Sequence, residues 1–180
     1  MIDMMQNYKI FETKIWPQIE PFADKKKMFA ALKETGFFRA PASTKYHLNE
    51  AGGLCQHSLN MTRELIRLTD RMNLKWQRAA SPYIIGFFHD LCKSDQYVLV
   101  GDHYETNKNT IALGHGARSV SMLSELMNLT DEEKACIEFH MGAFTDKSEW
   151  NRYTAAIHTF PNVLWTHTAD MIASHIVELN

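Results

Sequence analysis

The chain has 180 residues, enough for one compact domain with a hydrophobic core. Hydrophobic residues make up 45% and charged residues 22%, a balance that excludes a disordered chain. The formal net charge of −2 supplies no basic excess, which argues against a dedicated nucleic-acid binder but leaves room for a local phosphate pocket.

From Met1 to Trp16 charged residues interrupt the apolar ones, so no signal-peptide core is expected. No run approaches the roughly 20 apolar residues of a membrane span, and a soluble, cytoplasmic protein is the expectation. Pro17 and Pro21 are expected to break the N-terminal segment. Phe22 to Glu34 reads as a helix with Met28, Phe29 and Leu32 on one face, closed by Gly36, and Lys25-Lys26-Lys27 reads as its solvated side. Gly36 to Gly53 is rich in loop formers. A helix follows from about Leu54, with Leu54, His57, Met61, Leu65, Leu68 and Met72 on one stripe, so His57 faces inward. Ser81-Pro82 can cap and open a helical run from Pro82 to Lys93, with His89 and Asp90 near its end.

Ser94 to Asn109 is the least helical stretch. Gln96 to Val100 has strand composition and Gly101-Asp102 a turn, so a short hairpin or flap is expected over residues 96–109. Helical pattern resumes near Gly114 and runs to Met127. Thr130-Asp131-Glu132-Glu133 has the form of a capping box and opens a helix expected to carry His140. Ser148 can cap a helix to about His158, and Pro161 can open the last one, through Leu179. The fold expected is all-α, a single helical domain with residues 1–51 as an N-terminal helical extension and loop. Cys55, Cys92 and Cys136 form no CxxC pair, which gives neither structural-zinc spacing nor a disulfide framework; reduced core thiols are expected.

The histidines, nine in all, carry the chemistry. His57 interrupts an apolar stripe, His89 ends the run Tyr83-Ile84-Ile85-Gly86-Phe87-Phe88, and Asp90 follows it. Asp170 sits in an apolar context from Leu164 to Ala173, where an unpaired carboxylate is costly. A metal shared among inward His and Asp side chains of different helices satisfies all of them. Taken singly, each residue also fits a hydrogen-bonded core histidine or a capping aspartate.

Gly52-Gly53-Leu54-Cys55-Gln56-His57, Phe87-Phe88-His89-Asp90-Leu91-Cys92-Lys93 and Thr168-Ala169-Asp170-Met171-Ile172 together resemble the ordered motifs of the HD superfamily of metal-dependent phosphohydrolases, over Gly52 to about Ser174. Leu113-Gly114-His115-Gly116 and Ile137-Glu138-Phe139-His140 resemble two further elements of the subset with a two-metal site. The resemblance implies an HD-type helical bundle in which His57, His89, Asp90 and Asp170 hold one metal, with Asp90 bridging to a second held by His115 and His140. A one-metal site, with His115 and His140 on substrate phosphate, is the alternative. Iron, manganese, nickel and zinc are not distinguished, although a His/carboxylate set with little sulfur suits iron or manganese.

The activity so implied is hydrolysis of a phosphoester or phosphoanhydride of a small, nucleotide-like substrate by a metal-activated water. Asp90 and Lys93 are the catalytic candidates, Lys93 placing an ammonium against phosphate, or else standing in solvent at a helix C-terminus. Lys45, His47 and Arg118 are candidate substrate contacts, with solvated surface cations as the plain alternative. His167, three residues before Asp170, can act behind a ligand. The elements around His115, Thr130 and Asp170 resemble bacterial enzymes that split diadenosine tetraphosphate symmetrically, whereas residues 1–50 and the Gly-Gly-Leu form resemble HD domains attached to bacterial exoribonucleases. Two other functions remain open: a non-catalytic ligand-binding or regulatory module on the same scaffold, and a di-iron oxygenase. Neither a membrane partner nor a particular oligomeric state is indicated.

Overall fold

The computed structural model describes residues 1–46, 48–108, 110 and 114–179. Among them the chain is mostly helical, with one two-stranded antiparallel hairpin. In order it forms α1 (Met4–Ile10), α2 (Trp16–Ile19), α3 (Lys25–Glu34), α4 (Gly53–Met72), α5 (Ser81–Phe88), α6 (Lys93–Gln96), β1 (Tyr97–Val100), β2 (His103–Thr106), α7 (His115–Ser124), α8 (Asp131–Glu138), α9 (Trp150–Thr159) and α10 (Asn162–Ile172). No helix is long and apolar enough to cross a membrane.

Local chemistry explains most helix starts. The Asp3 and Asp24 carboxylates accept from the Gln6 and Lys27 amides and cap α1 and α3. Thr130 and Glu133 close the expected capping box at α8. The hairpin pairs Tyr97 with Thr106 and Val100 with His103 around a Gly101-Asp102 turn, as the composition predicts. Asn109, which ends the predicted flap, lies outside the described residues.

Several expected boundaries are corrected. Pro17 does not break the N-terminal segment. A widened turn at Phe11–Ile15, in which the Trp16 amide reaches back to the Phe11 carbonyl, joins α1 to α2 and accommodates the proline ring. Pro21 does end it, in a 3-10 turn at Glu20–Phe22, so the next helix starts at Lys25 rather than Phe22. Ser81 is not a cap: its hydroxyl donates to buried Glu133 at 2.8 Å, and Ala80 takes the cap position. Ser148 likewise does not cap; Asp146 accepts from its amide and opens a 3-10 turn before α9. The run from Pro82 is helical only to Phe88, which leaves His89 and Asp90 at a helix end and in the turn that follows. Helix α8 stops at Glu138, so His140 lies just past it.

The core is built where α4 packs on α5 and α10. Leu54, Met61, Leu65, Ile84, Ile85, Phe87 and Phe88 are fully buried there. Burial of each such side chain stabilises the fold by about 1.5–3 kcal/mol. Phe11, from the N-terminal helix, stacks on Phe87 at 4.7 Å between ring centroids and ties α1 to this core. The α4–α5 crossing depends on Gly86, where a Cβ would come within 2.6 Å of the Thr62 Cα. This close approach sets α5 deep against α4 and brings His89, three residues on, beside His57. Gly86→Ala is expected to cost about 1–3 kcal/mol by overpacking. Urea denaturation measures that loss, and an unchanged midpoint would show that the two helices can separate freely.

Candidate metal centre

Apart from the neighbours His89 and Asp90, the side chains singled out as metal ligands come from separate places in the chain, and the fold brings them together. His57 projects from the first turns of α4, His89 from the end of α5, and Asp90 from the turn after it. His115 is the first residue of α7, His140 follows α8, and Asp170 lies near the end of α10. His57, His89, Asp90 and His140 are buried, and Asp170 and His115 are partly so.

Asp90 is the hub. Its Oδ1 lies 2.6 Å from His115 Nε2 and 3.4 Å from His140 Nε2. Its Oδ2 lies 3.3 Å from His89 Nε2, 3.6 Å from His57 Nε2 and 2.7 Å from Lys93 Nζ. Asp170 Oδ1 stands 3.2 Å from His57 Nε2 and 3.9 Å from His89 Nε2. Three overlapping groups therefore have metal-ligand geometry: His57, His89 and Asp90; His89, His140 and Asp170; and Asp90, His115 and His140. Within each, the donor atoms lie within 4.8 Å of one another.

The backs of the rings explain why their Nε2 atoms point inward. His57 Nδ1 donates to Glu178 Oε1 at 2.9 Å, His89 Nδ1 to the Gly86 carbonyl at 3.0 Å, and His140 Nδ1 to the Ile137 carbonyl at 2.7 Å. A carboxylate or carbonyl only accepts, so each of these Nδ1 atoms carries hydrogen. Such rear partners are what fix metal-binding histidines. His115 Nδ1 faces the Cys92 thiol at 3.3 Å.

The donors fit a cation. Among the described residues His140 Nε2 is buried with no well-formed hydrogen bond, Asp90 Oδ1 being its nearest acceptor at 3.4 Å, and a metal ion would satisfy it. His57 Nε2 and His89 Nε2 face each other at 3.2 Å, an approach that needs a proton or a cation between them. Two carboxylates and four imidazoles, with the Cys92 thiol behind His115, make a hard to borderline donor set. The buried groups can therefore hold a metal ion.

The charge states follow from the same packing. Burial alone would lower the His57 pKa, but hydrogen bonds to Asp170 and Glu178 outweigh it and hold it at about 10. For Asp90, burial is outweighed by Lys93, His89 and His115, which keep its carboxyl well below the usual range. Burial is outweighed at Asp170 too, chiefly by the hydrogen bond from His57 and the His89 charge. Lys93 stays above its ordinary value despite burial because Asp90 faces it. His115 is lowered, mainly by burial, which favours the neutral imidazole a metal requires.

Two cavities open on the cluster. One of about 240 Å³ meets His57, Asp90, Lys93 and Asp170; the other, about 450 Å³, begins at His115. Met141 and Phe144 line both and form the partition. Among the remaining expected site residues, Lys93 reaches the centre through Asp90. Arg118 does not line either cavity. Asp95 holds its guanidinium from both carboxylate oxygens, at 2.6 and 2.7 Å, and the Cys92 carbonyl accepts from it at 2.9 Å, so it fastens α6 to α7. Lys45 is exposed in a turn and lines neither cavity, and His47 lies outside the described residues.

Sequence reasoning missed Glu178. It orients His57 and accepts from Asn60 Nδ2 at 3.1 Å, and Asn60 in turn accepts from Gln56 Nε2 at 3.0 Å. Gln56 and Asn60, polar positions flanking His57 on α4, were the available signal for a polar relay; Glu178 carried none. His167 Nδ1 donates to the main-chain carbonyl of His140 at 2.9 Å, a contact with the backbone rather than with the side chain of Asp170 or His140. Comparison with protein-family models, curated proteins and solved structures finds no significant match.

Protein purified without chelator is expected to carry a transition metal, measured by plasma mass spectrometry, that His89→Ala with Asp90→Ala removes. Glu178→Gln is expected to weaken metal affinity about 10–100-fold while the fold persists. Because the metal displaces the His57 proton, binding at pH 7 releases about one proton from this residue and tightens as pH rises toward 10. Calorimetry in buffers of different ionisation enthalpy measures that release, and its absence would remove His57 from the ligand set.

Proposed function

We propose that the protein is a metal-dependent phosphohydrolase of the HD superfamily, acting on a small, nucleotide-like phosphoester or phosphoanhydride. The observation that carries the reading is Asp90, a buried carboxylate whose two oxygens face separate histidine pairs, with Lys93 beside it at the mouth of a cavity. On this reading His57, His89, Asp90 and Asp170 would hold one ion, and Asp90, His115 and His140 would hold a second. A bound divalent metal lowers the pKa of water and neutralises charge on a phosphoryl group.

The chain's own residues do the rest. Lys93 Nζ, 2.7 Å from Asp90 Oδ2, lines the smaller cavity and offers an ammonium to a phosphoryl oxygen there. Glu178, Gly86 and Ile137 lock the His57, His89 and His140 rings, so little reorganisation is needed when charge develops. Met141 and Phe144 supply apolar wall to both cavities beside the centre. A regulatory module that had lost catalysis would be free to lose ligands, and this chain keeps all six together.

A phosphatase and phosphodiesterase screen of metal-loaded protein tests the proposal. Phosphate release is expected with manganese or iron, and Lys93→Ala is expected to lower kcat about 10²-fold, by analogy with loss of one transition-state donor. Undiminished release from the His89→Ala, Asp90→Ala double variant would sink the assignment. One metal per chain rather than two would remove the bridging role from Asp90.

A further inference from the structure

The two cavities that meet at the cluster differ in chemistry. On the His57 side the lining includes Lys93, paired with Asp90, together with His167, His175 and the two carboxylates Asp90 and Asp170 that belong to the candidate metal centre. On the His115 side Arg152 is the only Lys or Arg among the described lining residues, and it is already engaged. Its guanidinium is bound by Glu138, at 2.6 Å, and by Glu149, and it lies over the Phe139 ring at 5.6 Å. Ser148 occupies one oxygen of Asp146 and Arg152 one of Glu149, so what this cavity offers a ligand is the second oxygen of each, Asp146 Oδ2 and Glu149 Oε1, and flat apolar surface. Phe144 is 67% exposed, an unusual position for a phenylalanine that forms the partition between two cavities. At Gly116 α7 lies directly against the backbone of α8, where a Cβ would stand 2.1 Å from the Glu138 carbonyl oxygen.

We infer that the cavity beside His115 receives the organic half of the substrate and selects a planar heteroaromatic base rich in N–H donors. Adenine, cytosine and guanine qualify; uracil and thymine do not. The inference rests on the phosphohydrolase reading only for where the phosphate goes. Its physical basis is separate. A phosphate is repelled by the carboxylates of this cavity, whereas on the other side Asp90 and Asp170 would be neutralised by the ion they would hold, and Lys93 adds an ammonium. An aromatic ring gains by stacking on Phe144, and exocyclic amino groups donate to the free carboxylate oxygens. Uracil and thymine present one ring N–H between two carbonyl oxygens, and those oxygens are repelled by the same carboxylates. At about 450 Å³ the space falls within the range of small-molecule sites.

Free nucleosides separate this inference from the hydrolytic one, because they carry no phosphate. Equilibrium binding of adenosine, cytidine, guanosine and uridine to the metal-loaded full chain is measured by calorimetry or ligand-observed NMR. The expected result is that the three amino-bearing nucleosides bind at least about tenfold more tightly than uridine. Phe144→Ala is expected to weaken their binding about tenfold. Asp146→Asn with Glu149→Gln, which turns acceptors into amides, is expected to lower the preference over uridine toward unity. A merely structural role for these side chains would not move that ratio. Equal binding of all four nucleosides, or binding of none, overturns the inference even if phosphate is released from other substrates. Selective binding without phosphate release under any metal supports the cavity assignment and overturns the phosphohydrolase reading instead.

Discussion

A carboxylate sealed inside a helical core is tolerated only when its surroundings return the solvation it has lost, and Asp90 is that carboxylate here. Four imidazoles and one ammonium close around it, from α4, the end of α5, the start of α6, the start of α7 and the end of α8. The helices are therefore arranged around a charge as much as around an apolar core. Most of the groups sit at helix ends, where the backbone turns and a short side chain can face inward without displacing a packed neighbour. Removing Asp90 would leave several cations or ring nitrogens unpaired at once, while removing any one histidine leaves the others in place.

Close backbone approach is what makes the arrangement possible. Gly86 lets α5 lie against Thr62 of α4, and Gly116 lets the start of α7 press on the last carbonyls of α8. The first contact fixes His89 beside His57; the second brings His115 beside His140, with ring centroids 5.6 Å apart. Away from the site, Arg78, Ser81 and Thr130 all meet on buried Glu133, which joins the start of α5 to the start of α8. The same helices are thus pinned at both ends, at one by an ion pair and at the other by the cluster.

Much of this was legible in the sequence because it obeys periodicity or local chemistry. His57 stands on the apolar stripe of α4, the capping box marks α8, and the Gly-Asp turn marks the hairpin. His57, His89, Asp90 and Asp170 stood out because they interrupt apolar context, whereas His115 and His140 could be named only through the motif resemblance. What escaped was non-local. Nothing in the neighbourhood of Glu178 tells that it will lie against His57, 121 positions earlier. Arg118 looked available because Asp95, which occupies it, belongs to another helix. Pro17 looked like a breaker because a widened turn is set by tertiary packing rather than by the residues that form it.

The Glu178 contact also has a bearing on how the molecule comes into being. A chain leaving the ribosome exposes His57 well before Asp170 and Glu178 exist, so early in synthesis its imidazole has neither the rear carboxylate nor the forward one. A ring without those two anions lacks the influence that sets its affinity for protons and metals, and free transition ions meet only loose, solvent-exposed donors. A metal held by this cluster would thus find its site complete only when α10 and the turn beyond it dock onto α4. The long loop that this docking closes makes it a late step of folding.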